Sequence, residues 1–118
     1  MDMEAVRAST ISRVLGEIAT DGGLSGTDIA NAVDVSKTTV SRWKSGQMRP
    51  QPRHELVLSD LRYVTSRLNE YYTPEEVRTW LYARHPQLDG QRAIDLIHDQ
   101  RTAEVLAVLE RLDSAAYL

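Results

Sequence analysis

The sequence predicts an all-α protein: an N-terminal helix-turn-helix bundle followed by a second small helical domain. Three observations carry this. Apolar residues recur at helical spacing along nearly the whole chain, with no period-two alternation and no internal repeat. Helix start and stop signals separate the periodic segments. The stretch from Thr27 to Trp43, TDIANAVDVSKTTVSRW, has the spacing of two short crossed helices.

The elements follow in order. Ile11, Val14, Leu15 and Ile18 define a first helix from about Glu4 to Thr20, stopped by Asp21-Gly22-Gly23. Ser25 with Asp28 three residues on resembles a capping box opening the second helix. Ile29, Ala30, Val33, Val35, Val40 and Trp43 are the positions that two crossed helices must bury. Asp34 falls at the turn, where the backbone often needs φ > 0 and Asp tolerates it. Ser36 is the N-cap of a third helix, Lys37 to about Lys44, closed by Ser45-Gly46.

Met48 to Pro52 is a stiff connector, since two prolines in three residues disfavour helix. Val57, Leu61, Val64 and Leu68 then mark an amphipathic helix of about fifteen residues. It is closed by Tyr71-Tyr72, one expected buried and the other half-exposed. Thr73-Pro74-Glu75-Glu76 places Thr at an N-cap, Pro at the first helical position and Glu at the third. That helix carries Val77, Trp80 and Leu81 and ends before Pro86. A loop through Leu88-Asp89-Gly90 leads to a short helix, Ala93 to His98. A last helix runs from Arg101 to about Leu112, with Val105, Leu106, Leu109 and Leu112 on one face.

A chain of 118 residues makes one domain, or two small helical subdomains sharing a core. The division expected is 1–53 and 54–118, with 54–72 as a connecting helix. Phenylalanine is absent, so Leu, Val, Ile and two Trp must fill the core. The absence of cysteine excludes disulfides and cysteine-ligated zinc. No apolar run approaches the ~20 residues that span a bilayer, and the N-terminus lacks a signal-peptide core, so a cytoplasmic protein without membrane contact is expected.

A formal net charge of −3 is unfavourable for a nucleic-acid binder, but its distribution is not uniform. Val35 to Arg53 holds five basic residues and no acidic one, whereas His54 onward holds eleven Asp and Glu against seven Arg. Phosphate attraction is screened beyond roughly 8 Å, so the local patch matters more than the total. Lys37, Thr38, Ser41 and Arg42 face outward where base edges would lie. Ser36 and Thr39 complete the helix's first turn, whose backbone N–H groups suit a phosphate. Lys44, Arg49 and Arg53 are placed for phosphates, which set register without reading sequence. Operator DNA is the partner this implies, bound by a dimer on paired half-sites. The competing reading is a helical hairpin with a solvated basic face.

The remaining segment, TPEEVRTWLYARHPQLDGQRAIDLIHDQRTAEVLAVLERLDSAAYL, exceeds what a bare DNA-binding domain needs. A capped helix carrying Trp80 is followed by Pro86-Gln87-Leu88-Asp89-Gly90, then Arg92-Ala93-Ile94-Asp95-Leu96-Ile97, then Val105 and Leu109. This pattern resembles the toxin-binding domain of the Xre/MbcA/ParS antitoxins. Two departures stand out: Ala93 where many members have proline, and Asp99-Gln100 where Asp-Gly is usual. The resemblance implies an antitoxin whose partner is a RES-domain toxin that degrades NAD. It also implies toxin contacts at Trp80, Arg84, Leu88, Asp89, Arg92, Asp95 and the tail Ala115, Ala116, Tyr117 and Leu118. Tyr117 and Leu118 have a second reading, folding back on the last helix.

No enzyme is expected, and no cofactor. His54, His85 and His98 lack metal-ligand spacing, and no glycine-rich phosphate loop follows a strand. Asp95, His98 and Asp99 could be drawn as an acid–base set, but no nucleophile accompanies them. The function expected is an antitoxin that inhibits its toxin and autorepresses its operon. The alternative is a stand-alone helix-turn-helix regulator with a C-terminal dimerisation domain.

Overall fold

In the computed structural model, which describes residues 3–116, the first periodic segment forms α1 (Met3–Gly22). It buries Leu15 and Ile18 and runs two residues past the expected stop. Gly23 ends it at φ +61°, and a Cβ there would lie 2.7 Å from the Pro74 carbonyl oxygen. The α1 terminus is therefore packed against the start of a later helix through bare backbone.

Helix α2 (Gly26–Val33) opens with the expected capping box. The Ser25 hydroxyl accepts the Asp28 N–H at 3.1 Å, and the Asp28 carboxylate accepts the Ser25 N–H at 2.8 Å. Asp34 takes the left-handed conformation at φ 64°, which turns the chain into α3 (Lys37–Ser45). Ser36 caps α3 by accepting the Thr39 N–H at 3.0 Å, and Gly46 closes it at φ 81°. Ile29, Ala30, Val33, Val40 and Trp43 are all buried between these helices, while Val35 is only partly so.

Pro52 is the first residue of α4 (Pro52–Asn69), so the second connector proline belongs to the helix. Its fixed φ suits that position, where an N–H would be unpaired anyway. Val57, Leu58, Leu61, Val64 and Leu68 make α4 the spine against which α1, α2, α5, α6 and α7 pack. Neither tyrosine after it is buried. Tyr71 is 39% exposed and reaches Asp113, and Tyr72 is half-buried against the core. Thr73 caps α5 (Pro74–Tyr82) in a reciprocal box with Glu76.

A short hairpin follows where no strand was expected. β1 (Arg84–His85) pairs antiparallel with β2 (Gln91–Arg92), with a 3₁₀ turn, Pro86–Leu88, between them. Two residues per strand leave no alternation to read. The turn needs positive φ at Asp89 (55°) and Gly90 (77°), which is the role of the Leu-Asp-Gly sequence. α6 (Ala93–His98) has the expected limits. α7 (Thr102–Ala116) continues past Leu112 and buries Val108 as well as Val105 and Leu109. One apolar cluster joins both halves of the chain. No helix among the described residues is long and apolar enough to cross a membrane.

Candidate functional site

Two surfaces follow from this arrangement. On α3, burial of Val40 and Trp43 turns Lys37, Thr38, Ser41, Arg42 and Lys44 outward. Trp43 is 2% exposed and packs 5.6 Å from the His54 ring, so it is core. The Ser36 hydroxyl is engaged in capping and lies 2.9 Å from the Thr39 hydroxyl, so that pair is committed to shaping the helix start. Arg53 is exposed on the first turn of α4, whereas Arg49 pairs with Glu55 at 3.8 Å.

The second surface is built on the hairpin and α6. Arg92 grips Asp95 through two bonds, Nε–Oδ2 at 2.7 Å and Nη2–Oδ1 at 2.9 Å. That pairing holds the Asp95 carboxyl below the ordinary range. Arg92 and Asp95 border a groove of about 360 Å³ that also takes in Tyr82, Ile94 and His98, with Asn31 and Ala32 of α2 on its opposite wall. Arg84 is exposed and braces the hairpin by donating to the Gly90 carbonyl at 3.2 Å. Asp89 is exposed at the turn tip.

The remaining expected contacts divide differently. Leu88 is 4% exposed and belongs to the core. The tight turn that exposes Asp89 folds Leu88 inward. Trp80 is half-buried, 4.4 Å from the His85 ring, and lines a separate shallow depression with Tyr72 and Thr79. Ala115 is exposed near the end of α7, and Ala116 is its last residue. Tyr117 and Leu118 lie outside the described residues.

Between the two surfaces lies a junction that sequence reading missed. Asp28, 7% exposed, accepts from Arg78 (Nε 3.3 Å, Nη2 3.2 Å) and from the Tyr82 hydroxyl at 2.7 Å. Burial pushes its carboxyl up. The Ser25 amide, Arg78, Tyr82 and the Ser25 hydroxyl outweigh that and hold its pKa at about 2. Burial and then the neighbouring Asp28 push Tyr82 up to about 12, so its hydroxyl remains a donor. Arg78 and Arg92 both lie over the Tyr82 ring, at 4.8 and 5.6 Å. One signal was available: Arg78 and Tyr82, four residues apart, share a face of α5 beside Leu81 and Val77. Their partner on α2 was not legible from spacing.

The drawn acid–base set does not converge on a reacting atom. Asp95 is committed to Arg92, and His98 Nδ1 lies 2.9 Å from Asp99 Oδ1 on the exposed rim. Among the described residues no three His, Asp or Glu side chains group to hold a metal.

Residues 67–115, which include α5, the hairpin, α6 and most of α7, match the family model described as the antitoxin Xre/MbcA/ParS C-terminal toxin-binding domain. The chain is 34% identical over 114 residues to a probable mycobacterial cidal antitoxin of Mycobacterium tuberculosis, covering 97% of this chain and 94% of the relative. It is 27% identical over 113 residues to the mycobacterial cidal antitoxin MbcA of Mycobacterium bovis, covering 96% of each. In the crystal structure of the Mycobacterium tuberculosis MbcT–MbcA toxin–antitoxin complex, one chain superposes with a TM-score of 0.76 at 27% identity. The match covers 94% of this chain and 96% of that one.

Proposed function

The chain belongs to the Xre/MbcA/ParS family of antitoxins, and from that premise we propose that it inhibits a RES-domain, NAD-degrading toxin and represses its own operon. The observation that carries the reading is similarity along 97% of the chain to an antitoxin, with the toxin-binding family model falling on the hairpin and α6. Any NAD chemistry belongs to the partner, and the complex forms in the cytoplasm.

The toxin-facing surface is assigned to Trp80, Arg84, Asp89, Arg92 and Asp95, with the tail from Ala115 to Leu118 as a second point of contact. The paired Arg92 and Asp95 offer both signs of charge in a fixed geometry, which suits a polar protein surface. The operator-facing surface is the helix-turn-helix formed by α2 and α3. Lys37, Thr38, Ser41 and Arg42 meet bases, while Lys44, Arg49 and Arg53 meet phosphates. Its exposed cations and its opening turn support that reading. A dimer would place two such helices on paired half-sites.

The test separates the surfaces. Lys37→Ala with Arg42→Ala should abolish sequence-specific operator binding in a gel-shift assay and leave rescue of toxin-expressing cells intact. Arg92→Glu with Asp95→Arg should do the reverse. Loss of both activities in either variant, with the fold retained by circular dichroism, would refute the division of labour. Removing Ala115–Leu118 should weaken rescue, and full rescue by the truncated chain rejects the tail contact.

A further inference from the structure

The groove of about 360 Å³ between α2 and α6 has one wall outside the segment matched as a toxin-binding domain. Residues 67–115 supply Tyr82, Arg92, Ile94, Asp95 and His98, whereas Asn31 and Ala32 come from α2. The two walls are tied together. The Tyr82 ring lies against the Arg92 guanidinium at 5.6 Å, and its hydroxyl donates to Asp28 of α2 at 2.7 Å. Asp28 and Asn31 are three residues apart on α2, so the helix face that holds Tyr82 also carries Asn31 at the groove.

The polar groups left over at this groove are donors. Arg92 spends its Nε hydrogen and one Nη2 hydrogen on Asp95, which leaves both Nη1 hydrogens without a partner among the described residues. Asn31 is exposed, and its amide has no hydrogen-bond partner among the described residues. Arg84 stands directly across the hairpin from Arg92, a like-charge pairing that costs stability unless an anion serves both. Asp95 is the carboxylate lining the groove, and its charge is already shared. Bonds from Arg92 hold its carboxyl below the ordinary range, and the Arg84 charge adds to the effect. Asp99, which follows α6, is occupied with His98 Nδ1 at 2.9 Å and lies in the field of Arg101. Two guanidiniums on one carboxylate leave positive charge in surplus.

We propose that the toxin-binding surface extends onto α2, where Asn31 and the free edge of Arg92 together receive a carboxylate of the toxin. The inference deepens the toxin-facing assignment and rests on it. Continuity selects the occupant, because the opposite wall of the groove belongs to the matched domain. Charge selects the chemistry. A guanidinium fork matches a carboxylate, and the Asn31 amide adds a donor without adding charge. A cationic side chain would instead meet Asp95 with both oxygens already bonded to Arg92. The first helix of the helix-turn-helix therefore takes part in holding the toxin.

Titration calorimetry of the full chain with a purified RES-domain toxin reads the contact by its sign. Asn31→Asp is nearly isosteric at an exposed position and sets a like charge against the toxin carboxylate. Its dissociation constant should rise at least about 10-fold, with unchanged far-UV circular dichroism. Asn31→Lys sets the opposite charge there and should bind at least as tightly as the wild type. Ser9→Asp, exposed on α1 and away from the groove lining, carries the same added charge and should leave the affinity within about twofold. Wild-type affinity in Asn31→Asp overturns the α2 contact, and so does weakening by Asn31→Lys or an equal loss in Ser9→Asp. Each of those results leaves the toxin reading standing. A wild-type chain that does not bind the toxin overturns both.

Discussion

The Asp28 carboxylate accepts from the Ser25 amide that starts α2 and from Arg78 and Tyr82 on α5, so one side chain caps a helix and ties it to its neighbour. Its ordinary pKa of 3.8 falls to about 2 in the folded chain. A depressed carboxyl contributes stability that is fully present above the unfolded value and lost as pH falls through the folded one. The contribution is about 2 kcal/mol, disappearing between about pH 4 and pH 2. Asp28→Asn should therefore cost about 2–3 kcal/mol near neutrality and flatten that part of the acid limb, measured as urea midpoints against pH. An unchanged acid limb would show that Asp28 titrates as a free carboxyl. Tyr82→Phe removes one donor of several and should cost about 1 kcal/mol.

At the scale of elements, backbone conformation makes two opposite predictions. Gln100 is held at φ 60° between α6 and α7, where an L-residue is strained. Gln100→Gly should raise stability by about 0.5–1 kcal/mol. Gly23→Ala should lower it by more than about 1 kcal/mol, because φ is +61° and the new Cβ meets the Pro74 carbonyl at 2.7 Å. Thermal midpoints of the two variants read both signs. These elements also show what sequence reading can reach. Capping boxes, the Asp34 turn and the limits of α6 were legible because each is decided within three or four residues. The hairpin was not, because two-residue strands carry no period. The burial of Leu88 was not legible because it depends on a turn that packs against α7.

Across the whole molecule, α4 carries one continuous core from α1 to α7, and the Asp28 junction adds a polar tie between α2 and α5. The two surfaces should therefore be parts of one cooperative unit. Trp43 and Trp80 report on opposite halves, so Trp43→Phe and Trp80→Phe should each unfold in a single transition. Fluorescence and circular dichroism should coincide within each variant; separate midpoints would mean that the halves fold independently. The candidate sites were legible only in part. The exposed cations of α3 followed from local periodicity, and the Arg92–Asp95 face from the family pattern. The Asp28 junction joins residues 50 and 54 positions apart, a relation no local spacing encodes.

In the proposed division of labour the C-terminal face silences a toxin while the α3 face is left for DNA. The deciding measurement is NAD consumption by a purified RES-domain toxin titrated with the purified chain. Stoichiometric chain should stop NAD loss, and the Lys37→Ala, Arg42→Ala double variant should stop it equally well. NAD loss that continues at the full rate in excess chain would show that the chain does not inhibit such a toxin.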